Sequence, residues 1–501
     1  MPRWRPAVVL TPPSIRVNDQ YSEMPDALTV ELMALSEAHG VSAFGVTGID
    51  PFHRERMKLR TEKDTGRSGP LRFTYDDPDQ ATDLTRSFPW AQRLVVIGWD
   101  YLADSGTPAA EGAVVGRFAT SNHYEAVRGI ASELAARLRD DGYRAELLID
   151  DNRLVDRAAA ARAGVGWVGK STMLLAPGHG PWMLLGSVVT DAPLTIGAPM
   201  QRGCGTCVAC FSACPTGALT DNGLDARRCL STWLQAPASI PQWIRPLLGR
   251  RIYGCDDCLT ACPPGQRALK ATGEKPLDLA FQALLALSDE ELLERFSWWY
   301  IPRRQGRFIR RNLLVAAGNS AELEAQDSIV THLAHPSSMI RGHAAWAMAR
   351  GFPRIAGPVL REALSMETVP EARDELALAL LMVEHPEAHK AVLAADEWVG
   401  NDETMRALAV TGSHAAGEGG INSDLEFLVI HSGARRLTTP ELPGTVELVH
   451  VNDDPGAYER PMMRVYDPDS RLQDLRRRAR VAASAAYFPA YSSSAAVSLP
   501  P

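Results

Sequence analysis

All eight cysteines of this 501-residue chain fall between positions 204 and 262. The first four read Cys204-x2-Cys207-x2-Cys210-x3-Cys214-Pro215. That spacing lets one loop give three thiolates to a cubane iron–sulfur cluster while the fourth cysteine reaches a second cluster. A shorter run comes later, Cys255-x2-Cys258-x3-Cys262-Pro263, with Ile252 where a further ligand would stand. Cys229 remains, and it completes two sets of four. One 4Fe–4S cluster then takes Cys204, Cys207, Cys210 and Cys262, and the other takes Cys214, Cys229, Cys255 and Cys258. Zinc sites pair separate Cys-x2-Cys knuckles and do not need a three-cysteine run closed by Cys-Pro. Disulfides suit small secreted chains, whereas this one is long and shows no signal-peptide core. Pro215 and Pro263 are expected to turn the chain away from the ligand loops.

A second stretch invites a different chemistry. Gly164-Val-Gly166-Trp-Val-Gly169-Lys170-Ser171 matches both G-x4-G-K-[ST] and G-x-G-x-x-G. Both motifs need a strand before the loop and a helix after it, so that a helix N-terminus faces the phosphates. Here a helical segment, Asp156–Ala163, comes first, and the segment after the turn is soon stopped by Pro177 and Gly178. The glycines then mean close backbone approach to a ligand or to packed neighbours, not nucleotide binding.

A third candidate is basic. Arg303, Arg304, Arg307, Arg310 and Arg311 lie in a stretch, Ile301 to Arg311, that holds no acidic residue. Contact with RNA phosphates is one reading and a solvated helix face is the other. Trp298, Trp299 and Tyr300 just upstream favour RNA, because aromatic rings stack on unpaired bases.

The positioning elements are read from periodicity. Leu28, Leu32 and Leu35 share a face of a helix over Leu28–His39. Val127, Ile130, Leu134 and Leu138 do the same over Asn122–Leu138, and a further helix is expected near Leu154–Ala163. Strands are expected at Ser42–Val46, Leu94–Trp99, Ala145–Ile149 and Met183–Val189, while residues 50–92 read as polar and irregular. Later, Ile309-Arg310, Ile340-Arg341 and Ala372-Arg373 recur at spacings of 31 and 32, each leading into an apolar helix. Such a period resembles HEAT repeats, which stack and present a surface. Near the end, Thr445–Val451 alternates like a strand and Arg471–Arg480 reads as a basic helix.

The expected division is a flexible leader over 1–25 and a mixed α/β domain over 26–195. A two-cluster domain over 196–275 and helical repeats over 276–400 come next. Residues 401–501 form an extension with no assigned role and a disordered end at Ser492–Pro501. The composition, 45% hydrophobic and 22% charged, is that of a soluble globular protein. No apolar run reaches membrane-spanning length, so no membrane partner is expected. Thiolate-held clusters point to the cytoplasm. A net charge of −8 confines any nucleic-acid contact to a local patch.

The blocks Asp225-Ala-Arg-Arg-Cys229-Leu-Ser231, Arg251-Ile-Tyr-Gly-Cys255-Asp-Asp-Cys258, Ala163–Lys170 and Arg311-Asn312 through Gly318-Asn319 resemble the epoxyqueuosine reductase family. The resemblance runs from about Leu28 to Met382. It implies an α+β multidomain fold: a mixed α/β cobalamin-binding domain, a ferredoxin-like two-cluster domain and HEAT-like α-helical repeats. The implied activity is reduction of epoxyqueuosine to queuosine at the tRNA wobble position, with cobalamin and two 4Fe–4S clusters. Asp150 takes the position of the family's catalytic acid, thirteen residues before Ala163-Gly164. Gly169, Ser231, Asp256, Asp257 and Arg72 match cobalamin-pocket positions, as does Asp150. Implied partners are tRNA and an external low-potential donor of flavodoxin or ferredoxin type, with the enzyme a monomer.

The chain also departs from the pattern. Asp150-Asp151-Asn152-Arg153 replaces Asp-Ser-x-Pro, so Asp151 competes for the acid's role. Arg117-Phe-Ala-Thr-Ser-Asn-His-Tyr124-Glu125 is a loose match to Arg-Tyr-Ala-x-Gly-x-Asp-Tyr-His. Two other functions fit the same parts. One is a corrinoid iron–sulfur reductase of a small epoxide or organohalide. The other is a non-catalytic electron carrier with a helical interaction domain.

Overall fold

The computed structural model describes residues 21, 24–272 and 276–401, and then the strands Met405–Thr411, Glu426–His431, Thr445–His450 and Met462–Tyr466. Most of the expected leader, the basic run Arg471–Arg480 and the segment Ser492–Pro501 lie outside the described residues. The chain folds as two units. One is drawn from residues 1–107, 116–229 and 255–276, and the other from 108–115, 230–254 and 277–501.

The first unit is built on a four-stranded sheet. In chain order its elements are α1 (Ala27–Ala38), β1 (Ala43–Gly48), α2 (His53–Asp64), β2 (Arg93–Asp100), α3 (His123–Asp140), β3 (Ala145–Leu148), α4 (Asp156–Arg162), β4 (Trp167–Val168), β5 (Leu174–Leu175) and β6 (Met183–Thr190). The sheet order is β1-β2-β6-β3, and every pairing is antiparallel. The period of two along β2 divides the core. Val95 and Ile97 pack with Val127, Ile130 and Leu134 of α3. Leu94 and Val96 face the other way, against Ala159 and Ala160 of α4. Helices therefore cover both faces, and β6 is buried along its whole length. Each large apolar side chain of α3 removed from water contributes about 1.5–3 kcal/mol. Gly186 on β6 sets how closely α3 approaches, since a Cβ there would meet Val127 Cγ1 at 2.6 Å.

The stretch 50–92 contains a helix that its pattern hides. In α2 only Leu59 and Glu62 are buried, so no apolar stripe marks it. Its Arg, Glu, Lys and Met residues are good helix formers, and propensity acts here without amphipathicity. Pro263 behaves differently from expectation. It opens the helix Pro263–Lys270, because proline is well placed at a first helical position where no N–H is needed.

The second unit is mainly helical. After the shorter helices Leu230–Gln235 and Phe281–Ala286 come α5 (Asp289–Arg295), α6 (Arg307–Ser320), α7 (Gln326–His332), α8 (Ser338–Gly351), α9 (Pro353–Met366), α10 (Pro370–Glu384) and α11 (Pro386–Asn401). α6, α8 and α10 pack side by side, while α7, α9 and α11 pack against their chain neighbours. Gly318 allows α6 and α8 to touch, since a Cβ there would lie 2.6 Å from Ala347 Cα.

The recurring arginines explain themselves in this packing. Arg310 donates to Leu285 O and Leu287 O and pairs with Asp289 at 2.7 Å. Arg341 donates to His335 O and Pro336 O and pairs with Glu367. Arg373 donates to Leu364 O and Glu367 O. Each guanidinium reaches back to tie off carbonyls of the segment before its helix. A helix end leaves such carbonyls without partners.

Residues 405–466 add a sheet to this unit. Its order is Thr445–His450, Glu426–His431, Met405–Thr411, Met462–Tyr466. The first pair is parallel and the other two are antiparallel. α10 and α11 pack against it. The strand expected at Thr445–Val451 is thus present, inside a sheet whose other members lack a clear alternating pattern.

Candidate active site and cluster site

The thiols gather in the two expected sets. Burial pushes the Cys210 thiol up, and Cys204, Cys262 and Cys207 push it further. Burial also raises Cys258, which is then raised by Cys255, Cys229 and Cys214. All eight cysteines are free thiols. Among the described residues, no three Cys, His, Asp or Glu side chains converge as they would round a single metal ion. A cubane instead seats each thiolate on its own iron, so wider spacing suits it. Lys170 N points at Cys204 Sγ (3.4 Å) and Ala218 N at Cys214 Sγ (3.3 Å). Such N–H donors stabilise thiolate charge and tune cluster potential. The donor set therefore fits two clusters. Cys210 is buried and Cys207 is exposed, so the first set opens toward solvent.

The glycine turn serves this site by packing. Gly164 has φ +77 and ends α4, and Gly166 leads into the β4–β5 hairpin. A Cβ on Gly166 would lie 2.3 Å from Leu175 O. On Gly169 it would lie 2.3 Å from Leu175 Cδ1 and 3.4 Å from Cys204 Sγ. No helix comes after the turn, so it offers no helix N-terminus to phosphates. Gly169 makes room for hairpin and thiol.

β3 ends at Leu148, two residues before Asp150. Strand alternation therefore does not separate Asp150 from Asp151. Backbone and ion pairing do. Asp150 stands at φ +50, in the left-handed region where a non-glycine residue is strained. Its side chain is open to solvent, yet protein crowds round it, as on the wall of a cleft. Desolvation, then Asp156, push its carboxyl up. Asp151 accepts two hydrogen bonds from the Arg153 guanidinium, at 2.9 and 2.6 Å, and one from Arg153 N. Burial alone would raise it, but these bonds outweigh burial and hold it below the usual carboxylate range.

A polar cluster that sequence reasoning missed lies in the same unit. Tyr101 and His123 rings pack at 5.7 Å, and Asp100 Oδ2 lies 2.6 Å from His179 Nδ1. Burial, then Asp256 and Asp100, raise Tyr101 far above its ordinary value. Burial lowers His123, whose Nε2 has no hydrogen-bond partner among the described residues. A buried ring nitrogen left this way is a place for a bound group to satisfy. The one signal for it was the stretch Arg117–Glu125, where the chain leaves the family pattern.

The other expected cofactor positions are dispersed in role. Asp256 Oδ2 accepts from Arg117 N at 2.7 Å, and Asp257 opens a short helix. Arg72 is exposed before the turn Phe73–Tyr75. Ser231, in the helix Leu230–Gln235, bonds Gln235 Nε2 at 3.2 Å.

The basic cluster splits. Arg303 and Arg304 are exposed and Arg307 is half-buried, but Arg310 and Arg311 are interior. Arg311 donates to Trp233 O (2.9 Å), Ala236 O (2.8 Å) and Ala238 O. Asn312 Nδ2 donates to Leu234 O and Ile252 O, and Asn319 Nδ2 to Arg245 O and Gly249 O. Burial, then the Arg245 cation, push the Arg311 guanidinium down to about 9. As RNA contacts, Arg310 and Arg311 are corrected: their donors are spent on buried carbonyls.

Residues 203–265 match the 4Fe-4S double cluster binding domain. Epoxyqueuosine reductase of Xanthomonas campestris is 30% identical over 346 residues, which cover 65% of this chain and 97% of that protein. A crystal structure of epoxyqueuosine reductase with an epoxyqueuosine-modified tRNA-Tyr stem loop is 28% identical with a TM-score of 0.64, covering 71% of this chain and 98% of that one. A Bacillus subtilis epoxyqueuosine reductase structure, described with its catalytic aspartate loop swung out of the active site, is 27% identical, also at 0.64, covering 71% and 99%.

Proposed function

The chain belongs to the epoxyqueuosine reductase family, and on that basis we propose that it reduces epoxyqueuosine to queuosine at the wobble position of tRNA. The observation that carries this reading is the gathering of eight thiols into two sets of four in the unit that also holds Asp150. Loss of the epoxide oxygen as water, leaving an alkene, takes two electrons and two protons. The two clusters give the electrons a path from an external low-potential donor, and the exposed Cys207 side is the natural entry.

Cobalamin supplies, when bound, a metal centre reducible enough for the difficult electron transfer. Asp150 and Arg72 are open to meet it, and His123 Nε2 offers an unsatisfied nitrogen to it or to the substrate. Asp150 holds a proton on its carboxyl and delivers it to the departing oxygen. A raised carboxyl suits that task, because the acid survives to higher pH. Asp151 remains an ionised partner of Arg153.

The α6–α11 helices act as HEAT-like repeats that present a surface to tRNA, and the enzyme works as a monomer. Arg303 and Arg307 are its phosphate contacts, while Arg304 spends its guanidinium on the carbonyls of Leu293, Ser297 and Trp299. No helix among the described residues is long and apolar enough to cross a membrane. Anaerobic reconstitution with iron, sulfide and cobalamin, then assay on epoxyqueuosine tRNA, tests the reading. A second reading, reduction of a small epoxide or organohalide on the same scaffold, is favoured by one observation. The unsatisfied His123 stands where the chain departs from its family's pattern.

A further inference from the structure

The loop from Phe296 to Arg304 is held with unusual firmness for a surface segment. Trp299 is interior and sandwiched between Phe296 (3.9 Å, 15°) and Tyr253 (4.4 Å, 13°). Tyr253 Oη accepts from Tyr300 N at 3.0 Å and donates to Tyr300 O at 3.2 Å. Arg304 donates to Ser297 O, Trp299 O and Leu293 O. The backbone of Tyr300 is thus clamped from below by rings and phenol, and its neighbours from the side by a guanidinium.

What this frame presents is unlike what it hides. The Tyr300 side chain is 44% exposed. Arg303 and Arg304 stand at φ +51 and +49, two successive non-glycine residues in the left-handed region. Backbone strain of this kind persists only where the surroundings enforce it. Arg303 is exposed, three residues along the chain from Tyr300. Among the described residues, no carboxylate lies within ion-pair distance of Arg303, whereas Arg310, further along in α6, is paired. An exposed aromatic ring on a fixed backbone, with an exposed guanidinium three residues on, is the chemistry that captures a splayed base and its phosphate.

We propose that Tyr300 and Arg303 form a stacking site for an unpaired nucleobase in the anticodon loop of the RNA. The site rests on the reading of tRNA as substrate and adds to it a position where one loop base is held. Trp299, equally aromatic in sequence, is the clamp and not the platform.

The test uses the full-length, cluster-reconstituted protein and an anticodon stem-loop carrying 2-aminopurine at an unpaired loop position. Tyr300→Ala should weaken binding about tenfold, in line with one lost base–aromatic stack. It should also abolish the quenching of the 2-aminopurine and leave the salt slope as in the wild type. Tyr300→Phe keeps the ring and should retain both affinity and quenching. Arg303→Ala should flatten the salt slope, because one phosphate contact fewer releases fewer counterions. Tyr253 Oη holds Tyr300 N and O, bonds that the alanine variant retains, so it should keep cluster absorbance and helicity. Wild-type binding that is unchanged in Tyr300→Ala overturns this inference alone. Failure of the wild type to bind the stem-loop overturns the tRNA reading and this site with it.

Discussion

Asp150 and Asp151 are adjacent carboxylic acids pushed in opposite directions from the ordinary carboxylate value. Asp151 is locked onto Arg153 at 2.6 Å, while Asp150 is strained at φ +50 and raised by its surroundings. Only Asp150 can keep a proton at a pH where ordinary carboxyls have lost theirs. Asp150→Asn should keep both clusters and RNA affinity while turnover falls by about 100-fold or more, the usual scale of a lost general acid. Asp151→Asn should retain most activity and lose some stability near neutral pH. Its lowered carboxyl contributes stability that is lost as pH falls through the folded value. Wild-type turnover should decline as pH rises through the raised value of Asp150. Single-turnover rates across pH check this, and the reverse ranking of the two variants would move the acid by one residue.

The cluster assignment makes a stoichiometric prediction. The reconstituted protein should hold about eight irons, four for each thiolate set. Cys229→Ala removes one ligand from the set round Cys258 and should cost one cluster's signal while the other survives. Anaerobic iron analysis with electron paramagnetic resonance reads both. A spectrum unchanged in Cys229→Ala would make that cysteine a bystander.

Arg311 and Arg303 carry the same charge and should fail in opposite ways. Arg311→Ala strands the carbonyls of Trp233, Ala236 and Ala238, each costing roughly 1–3 kcal/mol when buried unpaired. Arg311→Lys should not rescue it, because an ammonium cannot span the fork that a guanidinium fills. Arg303→Ala should leave the denaturation midpoint within about 0.5 kcal/mol of wild type. Denaturant titration separates them. An Arg311→Ala protein of full stability but reduced salt slope would put that residue back on the RNA.

The contrast between these two arginines shows what was legible in the sequence. The cysteine runs could be read because ligand spacing is a local, covalent constraint, and the structure brings Cys229 near Cys258. The sheet and α3 could be read because Leu94–Trp99 is a short continuous apolar run, as a strand buried on both faces should be, and Val127–Leu138 carries a clean period of 3.6. α2 could not, since Leu59 is its one buried apolar residue. The five arginines looked alike because burial is a tertiary property. Arg310 and Arg311 disappear into carbonyl cages contributed by residues 23 to 78 positions away. The recurrence of Arg310, Arg341 and Arg373 was visible, but its meaning, a guanidinium tying each helix to the segment before it, needed the packing. The separation of Asp150 from Asp151 turned on Arg153 and on backbone conformation, and neither has a sequence pattern.

The central claim is that this chain removes oxygen from epoxyqueuosine in tRNA. Its most direct test is anaerobic turnover of epoxyqueuosine-containing tRNA by the cluster- and cobalamin-loaded protein, with mass spectrometry of the digested nucleosides. Conversion to queuosine, a product lighter by one oxygen, is the expected result, with Asp150→Asn leaving the substrate intact. Untouched epoxyqueuosine after incubation with a fully loaded wild-type protein that still reduces a small epoxide or organohalide would contradict it.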